Sequence, residues 1–269
     1  MFKTRAISAV FLVLILGTVL WFGGIVLALF LLGISLIAFF ELLRVMGIYV
    51  KGNKPSALEI CGYISVVALY VLVYLPTNSD FTVVWLVMTF IVLLGVYVLS
   101  FPRYDAKQVF GTFFSIVYAP LMLSFIYRIR EMEQGLIIVL LVFIASWISD
   151  TFAYITGMLL GKHKLAPKLS PKKSIEGSVG GIVGAALVGA LYGFLFFGGA
   201  EMILGCALIG GVGSVVSQIG DLAASGVKRN FDIKDYGNLI PGHGGIMDRF
   251  DSVLVTAPMI YFLALLLLV

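Results

Sequence analysis

Uninterrupted apolar runs of about 20 residues follow one another along this chain, and they constrain its fold more than any other feature. A run of that length is what a helix needs to cross about 30 Å of hydrocarbon. The composition agrees, since 61% of the 269 residues are hydrophobic and 12% are charged. Soluble domains are about 45–50% apolar and about 25% charged. We therefore predict an all-α protein, a polytopic bundle of transmembrane helices.

Breaks made by glycine, proline and charged residues divide the apolar sequence into about nine spans. The predicted spans lie near 6–21, 24–44, 59–75, 81–100, 109–127, 135–160, 177–199, 202–227 and 247–269. The first span follows Lys3 and Arg5, as in a secretory signal peptide, but no small-x-small cleavage site follows and the second span begins almost at once. We interpret it as a retained helix, separated from the second by a tight turn at "WFGG".

The basic residues predict how the chain is oriented in the membrane. With a cytoplasmic N-terminus and nine spans, all of the 18 Lys and Arg residues except Arg128 and Arg130 lie on the cytoplasmic side. The positive-inside rule therefore favours a multi-pass protein of the cell membrane with its N-terminus and its polar loops in the cytoplasm. We expect residues 1–130 to be a scaffold and residues 131–269 to be catalytic, with cytoplasmic loops at 161–177 and 228–246.

Four aspartates lie inside or at the edge of these spans. Asp150 is within the sixth span, Asp221 is near the end of the eighth, and Asp248 and Asp251 open the ninth on one helical face. An ionised carboxylate costs several kcal/mol in hydrocarbon, so such residues face the bundle interior or a water-filled cavity. One interpretation is that each of them pairs with a lysine or arginine and locks two helices together.

The alternative is a metal site at the cytoplasmic mouth of the bundle. Mg²⁺ usually takes one or two carboxylates together with substrate phosphates. We predict that Asp221 and Asp248 hold the metal, and that Asp251 and Asp150 hold a second cation or support the first. A different class of protein, an ion-coupled transporter, also places carboxylates in the membrane, but its site lies near the midplane between repeats.

Basic residues and glycines surround the same carboxylates. Lysine and arginine bind phosphate oxygens while carboxylates hold a metal, although anionic lipid headgroups attract basic residues as well. In "PGHGG" the glycines allow backbone amides to approach a phosphate just before a helix N-terminus. His243 is a phosphate hydrogen-bond donor, a base or a loop residue. The candidates for binding phosphate here are Lys228, Arg229, Lys234, His243, Gly244, Gly245 and Arg249.

The second polar loop, "SPKKSIEG", contributes further candidates: Lys172, Lys173, Ser174 and Glu176. Ser174 and Glu176 also fit a structural role, as the N-cap and an early acidic residue of the next helix. Four glycines follow at small-xxx-small spacing, at positions 177, 180, 181 and 184, and predict close helix packing. Cys61 and Cys206 lie in separate apolar runs, and we interpret both as packing residues.

These motifs resemble those of one enzyme family. The stretch "SGVKRNFDIKDYGNLIPGHGGIMDRFDS", Ser225–Ser252, is similar to the C-terminal motif of the phosphatidate cytidylyltransferases, also called CDP-diacylglycerol synthases. "SDTFAYITG" and "SPKKSIEGSVGG" resemble upstream motifs of that family, except that Ser174 replaces its usual threonine. The detailed resemblance covers about residues 146–252.

The resemblance implies a Mg²⁺-dependent transfer of the cytidylyl group from CTP to phosphatidate, which gives CDP-diacylglycerol and pyrophosphate at the cytoplasmic face. It implies that Asp221 and Asp248 hold metal, that Lys228, Arg229 and His243 act at the reacting phosphates, and that Asp235 of the Lys-Asp motif contributes to substrate binding. The expected partners are CTP, phosphatidate, membrane lipids and a second copy of the chain, without nucleic acid. A related enzyme that uses CTP on another lipid shares nearly all of this chemistry.

Overall fold

The computed structural model describes residues 2–49, 54–75, 80–240 and 244–268, and most of these residues are helical. Eleven α-helices occur in this part of the chain, together with two π-helical segments and two short strands. The helices are α1 Phe2–Phe22, α2 Gly24–Val45, α3 Ala57–Tyr74, α4 Asp80–Leu99, α5 Ala106–Ile116, α6 Met122–Arg130, α7 Gly135–Phe143, α8 Ser149–Leu160, α9 Ile175–Phe196, α10 Ala200–Asn230 and α11 Met247–Leu267.

The prediction of an all-α membrane bundle is confirmed. Eight helical stretches of the described chain are long and apolar enough to cross a membrane, and they match the second to ninth predicted spans within three residues at each end. The first predicted span lies within α1. The apolar stretch found there, Val10–Phe22, is shorter than the eight candidate spans. The predicted turn at "WFGG" lies between α1 and α2, where Gly23 has φ 62° and Gly24 has φ 47°. Such angles favour glycine.

Two of the spans contain a π-helical turn. Val117–Leu121 joins α5 to α6 and contains Pro120, which has no N–H to donate to the helix. Ile144–Ile148 joins α7 to α8 and ends directly before Ser149 and Asp150. A π turn adds a residue to the helix and is frequent beside functional sites.

The chain forms two compact units. The first comprises Met1–Tyr127 and Ile233–Arg249, and the second comprises Arg128–Asp232 and Phe250–Val269. The predicted catalytic segment 131–269 is thus shared between the two units, since Ile233–Arg249 belongs to the first. The assignment of catalysis to residues 131–269 stays a prediction.

The first unit has its core on α2, α3 and the π turn before α6. Leu27, Leu31 and Phe39 of α2 are fully buried. A polar contact is buried among them, since the hydroxyls of Ser35 and Tyr70 lie 2.7 Å apart. By contrast α4 has many exposed apolar side chains, Val83 and Ile91 among them, which suits a lipid-facing helix.

In the second unit, glycines let α9 pack closely against both α8 and α10. A Cβ at Gly177 would lie 2.7 Å from the carbonyl oxygen of Ala153, and one at Gly181 would lie 2.9 Å from that of Ser149. Cβ atoms at Gly180 and Gly184 would overlap Thr156 and Phe152 of α8. The packing role predicted for the four glycines of α9 is confirmed.

The predicted loop 161–177 contains two short strands that the sequence analysis did not predict. Residues Lys164–Ala166 form strand β1 and Ser170–Ser174 form strand β2, an antiparallel pair in which Lys164 is opposite Ser174. The sequence gives little sign of the hairpin because β1 has three residues and the turn contains Pro167, which also occurs in irregular loops. The hairpin presents the paired lysines on a defined strand.

Candidate active site

A cavity of about 410 Å³ lies within the second unit, between α8, α9, α10 and the hairpin. Polar groups from four elements, α8, β2, α9 and α10, line it: Asp150, Lys172, Lys173, Ser174, Ser178, Gln218 and Asp221. Its other walls are apolar, with Tyr154, Met158 and Leu165 among them. Five residues that the sequence analysis chose as site candidates therefore share one cavity.

An ion pair occupies the polar part of this cavity. The ammonium of Lys173 donates a hydrogen bond to Oδ2 of Asp221, and both side chains are 27% exposed. Asp150 is close enough to interact electrostatically with Lys173 and Asp221. Asp251 on α11 interacts in the same way with Asp221, Asp150 and Lys228. Three of the four predicted carboxylates therefore lie near one another in the second unit, with two lysines.

Gly220 allows α10 and α11 to approach each other beside Asp221. A Cβ at Gly220 would lie 3.0 Å from the carbonyl oxygen of Asp251 and would overlap Val255. Asp251 itself is half-buried, and its Oδ1 accepts a hydrogen bond of 2.8 Å from the N–H of Ser252. The position of Asp251 relative to Asp221 thus depends on a glycine that the sequence analysis did not select.

A buried polar chain that the sequence analysis also missed leads away from the cavity. Ser178 on α9 donates a hydrogen bond to Oε1 of Gln218 on α10, and Nε2 of Gln218 donates to the carbonyl of Ser178 at 3.2 Å. On the same side of α10, the hydroxyl of Ser214 lies 2.6 Å from that of Ser149. The available signal for these residues was a serine or glutamine within an apolar helix, which is common in membrane helices.

Ser174 and Glu176 have structural partners. Ser174 is the N-cap of α9, and its hydroxyl accepts a hydrogen bond of 3.1 Å from the N–H of Gly177. Glu176 accepts hydrogen bonds from the N–H groups of Lys162 and His163, and its Oε1 lies 2.6 Å from Nδ1 of His163. The structural role proposed for this pair of residues is confirmed, and their role in substrate binding stays a prediction.

Lys228 and Arg229 lie in the last turn of α10, where positive charge interacts favourably with the helix dipole. With 31 residues, α10 is about 46 Å long at 1.5 Å per residue, which exceeds the hydrocarbon thickness. Its basic end can therefore reach the headgroup level. Lys228 interacts with Asp251, whereas Arg229 is exposed.

The fourth predicted carboxylate, Asp248, belongs to the first unit and has a different environment. It is 7% exposed, and its Oδ2 accepts hydrogen bonds from the N–H of Tyr236 at 2.7 Å and from that of Gly245 at 3.0 Å. Asp248 thus joins the segment after α10 to the start of α11. Because Asp221 and Asp248 lie in different units, their predicted metal pair stays a prediction.

Glu41 of α2, which sequence reasoning missed, accepts two more hydrogen bonds at the same helix start. Its Oε1 accepts from the N–H of Ile246 at 3.1 Å, and its Oε2 accepts from the N–H of Met247 at 2.9 Å. The guanidinium of Arg44 donates to the carbonyl of Tyr236. A charged residue inside an apolar run was the available signal, but nothing in the sequence links position 41 to position 246.

The remaining candidates lie on the same segment. Lys234, Asp235 and Arg249 are exposed. Gly244 has φ 86°, which favours glycine, and Gly245 is buried with its N–H bonded to Asp248. The predicted approach of these two glycines to a phosphate stays a prediction. His243 lies outside the described residues.

The described part of the chain holds no group of three or more His, Cys, Asp or Glu side chains that could bind a metal ion by themselves. A cation held by one or two carboxylates and completed by substrate oxygens is still consistent with the carboxylates of the second unit, because Mg²⁺ is commonly bound in this way. The donor set, all oxygen, also suits Mg²⁺.

The chain is similar to known proteins along nearly its whole length. The model of the cytidylyltransferase family matches residues 3–267. Proteins named phosphatidate cytidylyltransferase are similar over 97% of this chain and 98% of their own length. The one from Staphylococcus epidermidis is 37% identical over 266 residues, that from Staphylococcus aureus is 36% identical over 269, and that from Staphylococcus saprophyticus is 35% identical over 267.

The match includes the N-terminal helices, for which the sequence motifs gave no specific indication. It also includes the residues that line the cavity of the second unit and the glycine-rich segment before α11. The similarity thus extends beyond a shared hydrophobic composition. The chain belongs to the cytidylyltransferase family.

Proposed function

We propose that this protein transfers the cytidylyl group of CTP to phosphatidate and releases CDP-diacylglycerol and pyrophosphate, as a step of phospholipid synthesis. The observation that carries the proposal is the similarity, over 97% of the chain, to relatives named for that activity. The polar cavity of the second unit supports it, because a reaction between two phosphate esters needs clustered positive charge beside carboxylates.

The cavity has the two kinds of surface that a phospholipid substrate requires. Lys172 and Lys173 supply cationic donors for phosphate oxygens at its polar part. Tyr154 and Met158 of α8 line the cavity and are also exposed on the apolar surface of that helix, at 71% and 65%. A double-chained lipid can therefore place its phosphate near the lysines while its acyl chains remain among apolar side chains.

The chemistry that we propose needs no strong protein base. A phosphate monoester is mostly dianionic at neutral pH, since its second pKa is about 6. An oxygen of phosphatidate attacks the α-phosphorus of CTP, the new P–O bond forms, and the bond to the pyrophosphate leaving group breaks. The main obstacle is repulsion between two polyanions. Lys172, Lys173 and Lys228 reduce that repulsion, and the walls of the cavity orient the two phosphates.

The carboxylates are the proposed site for Mg²⁺, held by Asp221 and Asp248, with Asp251 and Asp150 supporting it or holding a second cation. When bound, the metal neutralises phosphate oxygens and stabilises the charge on the leaving pyrophosphate. In the structure Asp221 is paired with the ammonium of Lys173, so a metal ion at Asp221 would displace that lysine. A cation at Asp221 leaves Lys173 available for a phosphate.

The remaining parts of the proposal concern location and assembly. We propose that the protein works in the cell membrane with its site facing the cytoplasm, which is where the basic loops are expected from their charge. This side also supplies CTP from water while phosphatidate stays at the headgroup level. A homodimer is proposed from the family resemblance alone.

The test is to purify the full chain in detergent, supply CTP, phosphatidate and Mg²⁺, and measure the release of pyrophosphate and the formation of CDP-diacylglycerol. We expect release that requires both substrates and stops when EDTA removes the metal. Activity with another lipid phosphate or a polyprenol phosphate, but not with phosphatidate, would assign a different acceptor. Release that continues in EDTA would contradict the metal assignment.

A further inference from the structure

We infer that Glu41 is a positioning residue for the reaction, through which α2 sets the place of Asp248 and of the glycine-rich segment before α11. The inference rests on the proposed function for its effect on turnover. Its structural part rests on the contacts of a glutamate that lies more than 200 positions away from the segment it holds.

The Glu41 carboxylate is almost completely buried, at 3% exposure, and its two oxygens have different partners. Oε1 accepts from the N–H of Ile246 and Oε2 accepts from the N–H of Met247. N–H groups at the start of a helix have no acceptor within the helix itself, and a negative charge there is also favoured by the helix dipole. Asp248 is the next residue, so fixing Met247 fixes the backbone that carries the Asp248 carboxylate.

The surrounding residues fit this carboxylate closely. A Cβ added at Gly237 or at Gly245 would overlap the Glu41 carboxylate, so a side chain at either position would have to displace that carboxylate. Arg44, one turn further along α2, donates to the carbonyl of Tyr236, whose N–H donates to Asp248. Side chains of α2 thus bond the chain at Tyr236 and again at Ile246 and Met247.

The arrangement is specific to position 41 and not a general property of buried glutamates in this unit. Glu59 is also buried, at 5% exposure, and its Oε1 also accepts a backbone N–H at a helix start, that of Ser56 at 3.0 Å. It caps its own helix, α3, in a local capping box. Glu59 is therefore the matched control for Glu41.

The experiment compares Glu41→Gln with Glu59→Gln in the full-length protein. Glutamine keeps one acceptor oxygen and replaces the other by an NH₂ group. That group faces a backbone N–H and cannot accept a hydrogen bond from it. Hydrogen–deuterium exchange of peptides covering 236–249 is measured together with kcat and KM for CTP. We expect faster exchange there in Glu41→Gln and not in Glu59→Gln. We also expect kcat to fall about 100-fold in Glu41→Gln, the effect of misplacing a catalytic group by about 1 Å.

A fall in the kcat of Glu41→Gln with a nearly unchanged thermal unfolding midpoint would indicate a positioning role and not a loss of folded protein. Glu41→Asp is a second variant, which keeps the charge but shortens the side chain. We expect its kcat to be lower than that of the wild-type protein, because the shorter side chain cannot reach both amides. Unchanged exchange at 236–249 in Glu41→Gln, or an equal loss of kcat in Glu59→Gln, would overturn the inference. If the wild-type protein has no cytidylyltransferase activity, the proposed function fails while the exchange measurement still decides whether Glu41 positions the segment.

Discussion

The carboxylates of the two units differ in their partners. In the first unit Glu41 and Asp248 accept hydrogen bonds from backbone amides, which have fixed positions. In the second unit Asp221 is paired with the ammonium of Lys173, and Asp150 and Asp251 lie within reach of these charges. A carboxylate bonded to amides fixes the conformation of the chain, whereas one bonded to a lysine can exchange that cation for another. The comparison teaches that buried or half-buried carboxylates of one chain serve different physical purposes.

The strongest test of this comparison is Asp221→Asn. Asparagine keeps the shape of the side chain and an acceptor for Lys173, but it removes the negative charge to which we assign metal binding. We expect turnover to fall on the order of 10³-fold or more, the range for losing a charged group that stabilises phosphoryl transfer. Asp105→Asn at the N-cap of α5 is the control, because asparagine caps helices as well as aspartate does. Near-normal turnover of Asp221→Asn at saturating Mg²⁺ would contradict the assignment.

Asp248→Asn separates the two roles at a single residue. Both amides that bind Asp248 donate to the same oxygen, Oδ2, so the carbonyl oxygen of asparagine can accept both. We expect a preserved unfolding midpoint and a fall in kcat of about 10²–10³-fold from the loss of charge. A lower unfolding midpoint with a proportionate loss of activity would instead restrict Asp248 to holding the segment in place.

Lys173→Met tests whether the lysine of the cavity acts on substrate or only neutralises Asp221. We expect kcat/KM to fall about 100-fold, as for the loss of one donor to a developing oxyanion. The matched control is Lys168→Met, because Lys168 is exposed in the turn of the same hairpin and does not line the cavity. If both variants keep wild-type kcat/KM while only Lys173→Met is less stable, then Lys173 has a structural role alone.

The smallest expected effect is that of Ser174→Ala, which removes the N-cap of α9. We expect a loss of about 1 kcal/mol in the free energy of unfolding, the usual value for such a cap. Ser174→Thr keeps the hydroxyl and should retain that stability. Steady-state kinetics give the second readout, since a tenfold rise of KM for CTP in Ser174→Ala but not in Ser174→Thr would establish a role in substrate binding as well.

Much of the fold could be predicted because the bilayer imposes it. A chain that crosses hydrocarbon must satisfy its backbone amides within each segment, so long apolar runs become helices almost regardless of their detail. The glycine spacing in α9 predicted close packing, because small residues spaced in this way let helix backbones approach each other. The hairpin at 164–174 was missed, since a strand of three residues has too short a pattern to be recognised and depends on its partner for hydrogen bonds.

The candidate site could be predicted only in part. Asp150 and Asp221 were selected because charge is rare in apolar helices, and Lys173 was selected from the polar loop before α9. The structure brings all three to one cavity. Gln218 and Ser178 were not selected, because neutral polar residues occur in many membrane helices. Glu41 and Arg44 were also missed, since the segment that they hold is about 200 positions away and no periodicity connects the two.

The sequence by itself determined the class of this protein, its spans and the residue types available for phosphate chemistry, because hydropathy, helix period and motif spacing are local properties. Only the tertiary structure decided which partner each charge has. Lys173 pairs with Asp221, while Glu41 and Asp248 bind the amides at the start of α11. Pairings of this kind depend on how distant helices pack, and the packing is set by close contacts at glycines such as Gly177 and Gly220.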